Sequence, residues 1–214
     1  MLDVDLGAVD LSGALLGRTI LIEADLVGAK LEGAKLAGAV LIGAKLDGQD
    51  LSKSDLTAAQ FAGASLVGCT LSGATISHCN FCGANLSHVK LNDAVAQNAI
   101  FSKAQLTKAD LSRADLRESL FDDAMLDGAV LLEANLERAN LRSANLTGAQ
   151  LLDATLTWAD LSHADLTRSN FEGAKVRLAR FHQTTEDDAI FGDRSLALGD
   201  DKDLAEAENF EPVY

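Results

Sequence analysis

The sequence predicts an all-β solenoid in which each coil is a square of four five-residue repeats, about nine coils in all. Three observations carry this. A large apolar residue recurs at every fifth position from Leu6 through Leu11, Leu16 and Leu21 to Phe171, Val176 and Phe181, and only Ala96 breaks the Leu/Ile/Val/Phe rule. A small residue, mostly alanine, sits two places before each of these, as Ala24, Ala29, Ala34, Ala39 and Ala44 do. Phenylalanines recur every twenty residues at Phe61, Phe81, Phe101 and Phe121, and Phe181 keeps that register.

The period of five excludes both common elements. On an α-helix a five-residue step turns about 500°, so the leucines would spiral around the axis and share no face. On a flat strand an odd step changes face each time, and half the leucines would meet water. A chain that turns a corner once per repeat points every leucine and alanine inward. The twenty-residue phenylalanine spacing then sets four corners per coil, because residues twenty apart stack. Phe171 and Phe191 share a second face by the same spacing. Coils spaced at the inter-strand distance of ~4.8 Å make a rod on the order of 40 Å long.

The small position follows from packing. Interiors are as dense as organic crystals, so a narrow bore takes a large group only beside a small one. Gln49 departs from this rule and places an amide in a dry core, which requires a local distortion or an internal hydrogen bond. Glycines at every fifth place, such as Gly28, Gly33, Gly38, Gly43 and Gly48, serve corners with positive φ rather than a phosphate loop.

The motif of a small residue, Asp or Asn, then Leu and two more residues is seen in Ala109-Asp110-Leu111-Ser112-Arg113 and Ala114-Asp115-Leu116-Arg117-Glu118. It resembles the pentapeptide-repeat family over residues 4–183. The resemblance implies a right-handed quadrilateral β-helix, usually a dimer in the bacterial cases, and no catalytic residues, because the family motif is structural. In some family members it further implies protection of DNA gyrase or topoisomerase IV from quinolones or toxins by an acidic rod that imitates DNA.

Residues 1–183 are expected to form the solenoid, and residues 184–214 an acidic C-terminal cap and tail with a short helix over 201–208. Glu186 falls where a core residue belongs, so the repeat phase is expected to lapse after Phe181. Ala189 and Phe191 then restore one more side. No cap precedes the first repeats, so a partner or a further segment is expected to cover the first coil.

The formal net charge is −14, and residues 182–214 supply ten acids against two bases. The rod itself is only mildly acidic, and no face is uniformly so. The face built on Leu16 carries six bases against four acids up to residue 181. B-DNA has one charge per about 1.7 Å, so this mixed surface is a poor imitation of it. A basic nucleic-acid footprint is also absent. No secretory signal or run of ~20 apolar residues occurs, and three cysteines without framework spacing indicate reduced thiols in the cytoplasm.

No catalytic, cofactor or metal constellation emerges. The histidines His78, His88, His163 and His182 all take outward positions and are expected in solvent, with too few convergent ligands for zinc. Cys69 and Cys79 take the small inward position, and Cys82 points outward with no base beside it. A filled bore leaves no pocket of a few hundred Å³ for a small molecule. The informative surface residues are apolar. Ile20, Ile22, Val40 and Ile42 occupy one face of adjacent coils, with Ile100 and Leu120 farther along it. Val130, Leu132 and Leu152 form a second group. Contiguous exposed apolar residues mark a contact surface. The residues therefore indicate a non-enzymatic protein-binding scaffold whose partner is a second copy or another protein. The resemblance adds the gyrase modulator as an alternative. The uncapped start adds an adaptor module of a larger assembly such as a secretion system.

Overall fold

Parallel pairing between residues twenty apart organises the whole chain. The computed structural model describes residues 4–201 and 203. Single-residue parallel bridges join Asp5 to Asp25, Gln60 to Asn80, Ile100 to Leu120 and Asp165 to Thr185, with the same step at most positions between. The longer pairing lies near the C-terminal end, where β1 (Asn170–Phe171) runs parallel to β2 (Ile190–Phe191). The expected helix over 201–208 falls almost wholly outside the described residues.

Each repeat from Leu6 to Val176 closes with a turn in which the amide three places after the core residue donates to that residue's carbonyl. Ala84 N–H to Phe81 O, at 2.9 Å, is one case. The second central residue of every corner from residue 13 to residue 188 has positive φ, as in a type II turn. Glycine fills only some of these corners, and 23 of them carry another residue, from Arg18 to Asp188. None of the 23 is β-branched, the class for which this conformation is most costly. The glycine reading of the corners is therefore incomplete. What the corner excludes is a branched Cβ, and polar side chains that point to solvent fill most of the rest.

The Asp or Asn before the core residue has a structural task that the repeat pattern alone does not disclose. Its side-chain oxygen accepts the backbone N–H two residues on, as from Ser52 to Asp50, Cys82 to Asn80, Thr147 to Asn145 and Thr167 to Asp165. This satisfies a corner amide that faces away from the inter-coil ladder. Asp50, Asp55 and Asp165 are held below the usual carboxyl range, first by the hydroxyls of Ser52, Thr57 and Thr167 and then by the backbone N–H of the same residues. A depressed folded pKa contributes stability that is complete above the unfolded value and is lost as pH falls through the folded one. Thermal melts should therefore drop steeply below about pH 4. A chain with Asp50→Asn, Asp55→Asn and Asp165→Asn keeps the acceptors and should melt with a flatter acid limb. Identical acid limbs for the two chains would refute the assignment.

The bore is filled. Core residues from Leu26 to Phe181 are buried, and the rings of Phe61, Phe81, Phe101 and Phe121 stack at 5.0, 5.1 and 4.8 Å between centroids. Phe171 stacks on Phe191 at 5.0 Å. Cys69 and Cys79 are buried in the small position, each thiol donating to a carbonyl of the coil below. Burial pushes both thiols up to about 12, so they are inert fillers.

One joint in the ladder is open. The bridges from Lys30 to Asp50 and from Lys35 to Asp55 are missing, while Asp25–Lys45 and Val40–Gln60 on either side are made. The amides of Gly28, Leu31, Gly33, Leu36, Asp50 and Asp55 make none of the inter-coil hydrogen bonds that their equivalents make elsewhere. Gln49 sits at this joint. Its side-chain amide donates to the carbonyls of Leu26 at 2.8 Å and Ala29 at 3.1 Å, so the Ala29 oxygen that Asp50 N–H would use is occupied. Both outcomes expected of Gln49 occur together, an internal hydrogen bond and a local distortion. The separated coils leave a solvent-open cleft of about 490 Å³ lined by Lys30, Glu32, Gly33, Gln49, Ser52 and Ser54 among others. From a filled bore the sequence predicts no pocket of a few hundred Å³, and this surface cleft exceeds that expectation.

The C-terminal end departs from expectation in three ways. The repeat phase does not lapse at Glu186, since Thr185 and Ile190 pair in register. Glu186 is half-buried and receives Arg194 at 2.8 and 3.1 Å, and Arg194 lies 4.8 and 4.2 Å from the ring centres of Phe181 and Phe191. A guanidinium thus closes the end of the apolar stack with one flat face on the rings and its edge on a carboxylate. The next coil is two residues short, because Arg180 pairs with Leu198 instead of a residue twenty away. Pairing thus continues past the expected boundary at Gln183.

Candidate functional surface

The two apolar groups picked out by the repeat lie where a quadrilateral coil puts them. Ile20 bridges to Val40, so their side chains are cross-strand neighbours on one face. Ile20 is 61% exposed, Ile42 is exposed, and Ile22 and Val40 are half-buried. Leu15, which the sequence reading overlooked, is 83% exposed and adjoins this group on the preceding side of the same coil. A small apolar recess of about 140 Å³ is lined by Val4, Leu6, Ile20, Leu21 and Ala24 at the same end. The core leucines of the first coil, Leu6, Leu11, Leu16 and Leu21, are only half-buried, whereas those from Leu26 onward are buried. Exposed side chains and an unfinished core therefore form one continuous apolar surface.

The second group is smaller. Leu132 is exposed, Val130 and Leu152 are half-buried, and Val130 pairs with Gln150 rather than an apolar residue. Polar neighbours interrupt it, so its residues are surface singles more than a patch.

The histidines divide. His78 and His88 are exposed as expected. His182 is not in solvent: its side chain is 0% exposed, its Nδ1 accepts the Asp201 N–H at 3.1 Å, and its ring meets the edge of His163 at 5.5 Å. The position is outward in the repeat, but the returning chain at 200–201 covers it, which no periodicity can show. Among the described residues no group of three or more His, Cys, Asp or Glu could hold a metal ion, and no helix is long and apolar enough to cross a membrane.

Several surface charges pair along the rod axis. Arg113 binds Asp93 at 2.8 Å, one coil below, and Lys30 and Lys45 meet Asp10 and Asp25 in the same way at 3.5 Å. These pairs join opposite charges on successive coils, and by sequence no face of the rod is uniformly acidic.

Comparison with known proteins agrees with this architecture. The family model described as pentapeptide repeats matches residues 2–36, 34–73, 119–157 and 149–185, and the one described as a pentapeptide repeat region matches 54–131. HetL, a pentapeptide repeat protein involved in heterocyst differentiation regulation from the cyanobacterium Nostoc sp. strain PCC 7120, superposes with a TM-score of 0.80. It is 31% identical over 92% of this chain and 86% of its own. QnrB1, a plasmid-mediated fluoroquinolone resistance protein, superposes in a trypsin-treated form with a TM-score of 0.73. It is 19% identical over 92% of this chain and 98% of its own, a likeness of fold. No curated protein sequence matches. The repeat motif, the filled four-sided bore and these matches together place the chain in the pentapeptide-repeat family, with its right-handed quadrilateral β-helix.

Proposed function

We propose that the chain is a non-enzymatic, protein-binding scaffold with a regulatory role. One observation carries the reading: exposed Leu15, Ile20 and Ile42, with half-buried Ile22 and Val40, form an apolar surface continuous with the open first coil, on a rod whose backbone is fixed by its ladder. A rigid surface loses little entropy on docking, so its apolar area counts toward affinity. The likeness to HetL, a protein involved in differentiation regulation, supports the regulatory part. Free cysteines in all three positions suit a reducing, cytoplasmic setting.

The test is affinity capture from the source cells with the wild-type chain and with an Ile20→Asp/Ile42→Asp chain, alongside sedimentation of each. Proteins held by the wild type and lost by the variant are the expected result. A dimer that the substitutions dissolve would make the partner a second copy. Equal recovery by both chains, with equal sedimentation, would remove the patch from consideration.

A second reading is protection of a fluoroquinolone target, prompted by the fold shared with QnrB1. The axially paired charges above weigh against DNA imitation. Gyrase supercoiling with the protein titrated in, with and without a quinolone, decides it: inhibition or protection at micromolar protein would favour this reading over the first.

A further inference from the structure

The corner built on residues 157–158 and 177–178 carries the chain's one tryptophan. This residue, Trp158, is 52% exposed and stands at a corner position with positive φ. Leu178 follows it one coil later at the same corner position, and its N–H donates to the carbonyl of Leu196, which is 62% exposed. Trp158, Leu178 and Leu196 therefore form an apolar column across three coils, about 10 Å long at the inter-strand spacing. Bases flank it. Lys175 and Arg177 are exposed and form no ion pair among the described residues, and Arg180 reaches Asp160 only at 3.7 Å. This is the one face on which bases outnumber acids. Exposed tryptophan beside arginine is the side-chain chemistry of interface anchors.

The chain supplies a complementary segment close by. Residues 204–214 read Leu-Ala-Glu-Ala-Glu-Asn-Phe-Glu-Pro-Val-Tyr, with three acids, no base and the aromatic residues Phe210 and Tyr214. The segment starts beside the corner. Asp160, Arg180 and Leu198 are successive rungs of the adjoining face, and Asp201 and Asp203 line a cleft of about 500 Å³ together with Arg180, Ala197 and Leu198. Eleven residues span up to about 35 Å when extended, several times the distance across one side of the coil.

We propose that the Trp158 corner is the docking surface for this chain's own segment 204–214, its apolar and aromatic side chains on the Trp158–Leu178–Leu196 column and its glutamates toward Lys175 and Arg177. This corner lies at the opposite end of the rod from the Ile20 surface and shares no residue with it.

Intrinsic fluorescence tests it, because Trp158 and Tyr214 are the only tryptophan and the only tyrosine. In the full chain, excitation of Tyr214 should appear as Trp158 emission, and Trp158 should resist acrylamide. A Lys175→Glu/Arg177→Glu chain should lower the docking equilibrium about five-fold or more, recover tyrosine emission and expose Trp158 to quencher. Raising the ionic strength of the wild-type chain to about 1 M, where the screening length is ~3 Å, should move it in the same direction. A Phe210→Ala chain should undock without a change of charge. Equal tyrosine emission and equal quenching in all chains would overturn the proposal. Transfer that disappears on dilution would also overturn it, by placing the segment on a second copy.

Discussion

Replacing Gln49 with alanine should stabilise the protein by about 2 kcal/mol or more, an unusual direction for a substitution that removes hydrogen bonds. Alanine is the residue the repeat uses most often at this position, and its Cβ fits the bore. The Gln49 amide donates to the carbonyls of Leu26 and Ala29, and in doing so it keeps the coil at 48–56 from closing on the coil at 28–36. Without it, the amides of Leu31, Gly33, Asp50 and Asp55 can regain partners across the joint. Each inter-coil hydrogen bond contributes about 0.5–1.5 kcal/mol net, so regaining several outweighs the two lost. For a chain of this size that gain raises the melting temperature by roughly 4–8 °C. Hydrogen exchange reads the cause directly, since these amides should change from fast to slow. A melting temperature at or below the wild-type value would show that the gap is set by something other than Gln49.

Truncating Phe101 to alanine should act in the opposite sense, by about 3–5 kcal/mol. Phe101 is fully buried and lies between Phe81 and Phe121, at 5.1 and 4.8 Å. The substitution removes a ring and two stacking contacts, and the bore cannot collapse into the space because ladders above and below fix each coil. The melting temperature should fall by roughly 6–20 °C. A solenoid is held by nearest-neighbour coils, so a lesion at mid-rod should also divide unfolding into two steps, one for each side of the break. A single transition shifted by less than about 2 °C would mean that the stack contributes little beyond filling volume.

The two substitutions probe the same structural property from opposite sides. Stability here is passed from coil to coil, and the axial charge pairs such as Arg113 with Asp93 add little, because both partners are half-exposed. What matters is whether a side chain suits its place in the inward pattern. Gln49 does not suit it and opens the ladder, and Phe101 does.

The fold was legible because the period of five is incompatible with a helix or a flat strand, and because phenylalanines at twenty-residue steps have one geometric meaning. The inward set from Leu26 to Phe181, the stack from Phe61 to Phe121 and the exposure of Ile20 and Ile42 all follow from phase alone. Other features needed the third dimension, for physical reasons that differ. The corner conformation is imposed on whatever residue stands there, so glycine was an incomplete guide to the 23 other corners. The task of Asp50 or Asn80 is a bond to an amide whose direction only the turn reveals. His182 is outward by phase and buried in fact, because a later stretch of chain folds over it. Glu186 breaks the apolar pattern yet keeps the register, because Arg194, eight residues on, comes back to meet it and to cover Phe181 and Phe191. Periodicity determines how each coil is built and which way each side chain faces. Where coils separate and what closes the end of the rod are decided by contacts between residues that no fixed spacing relates.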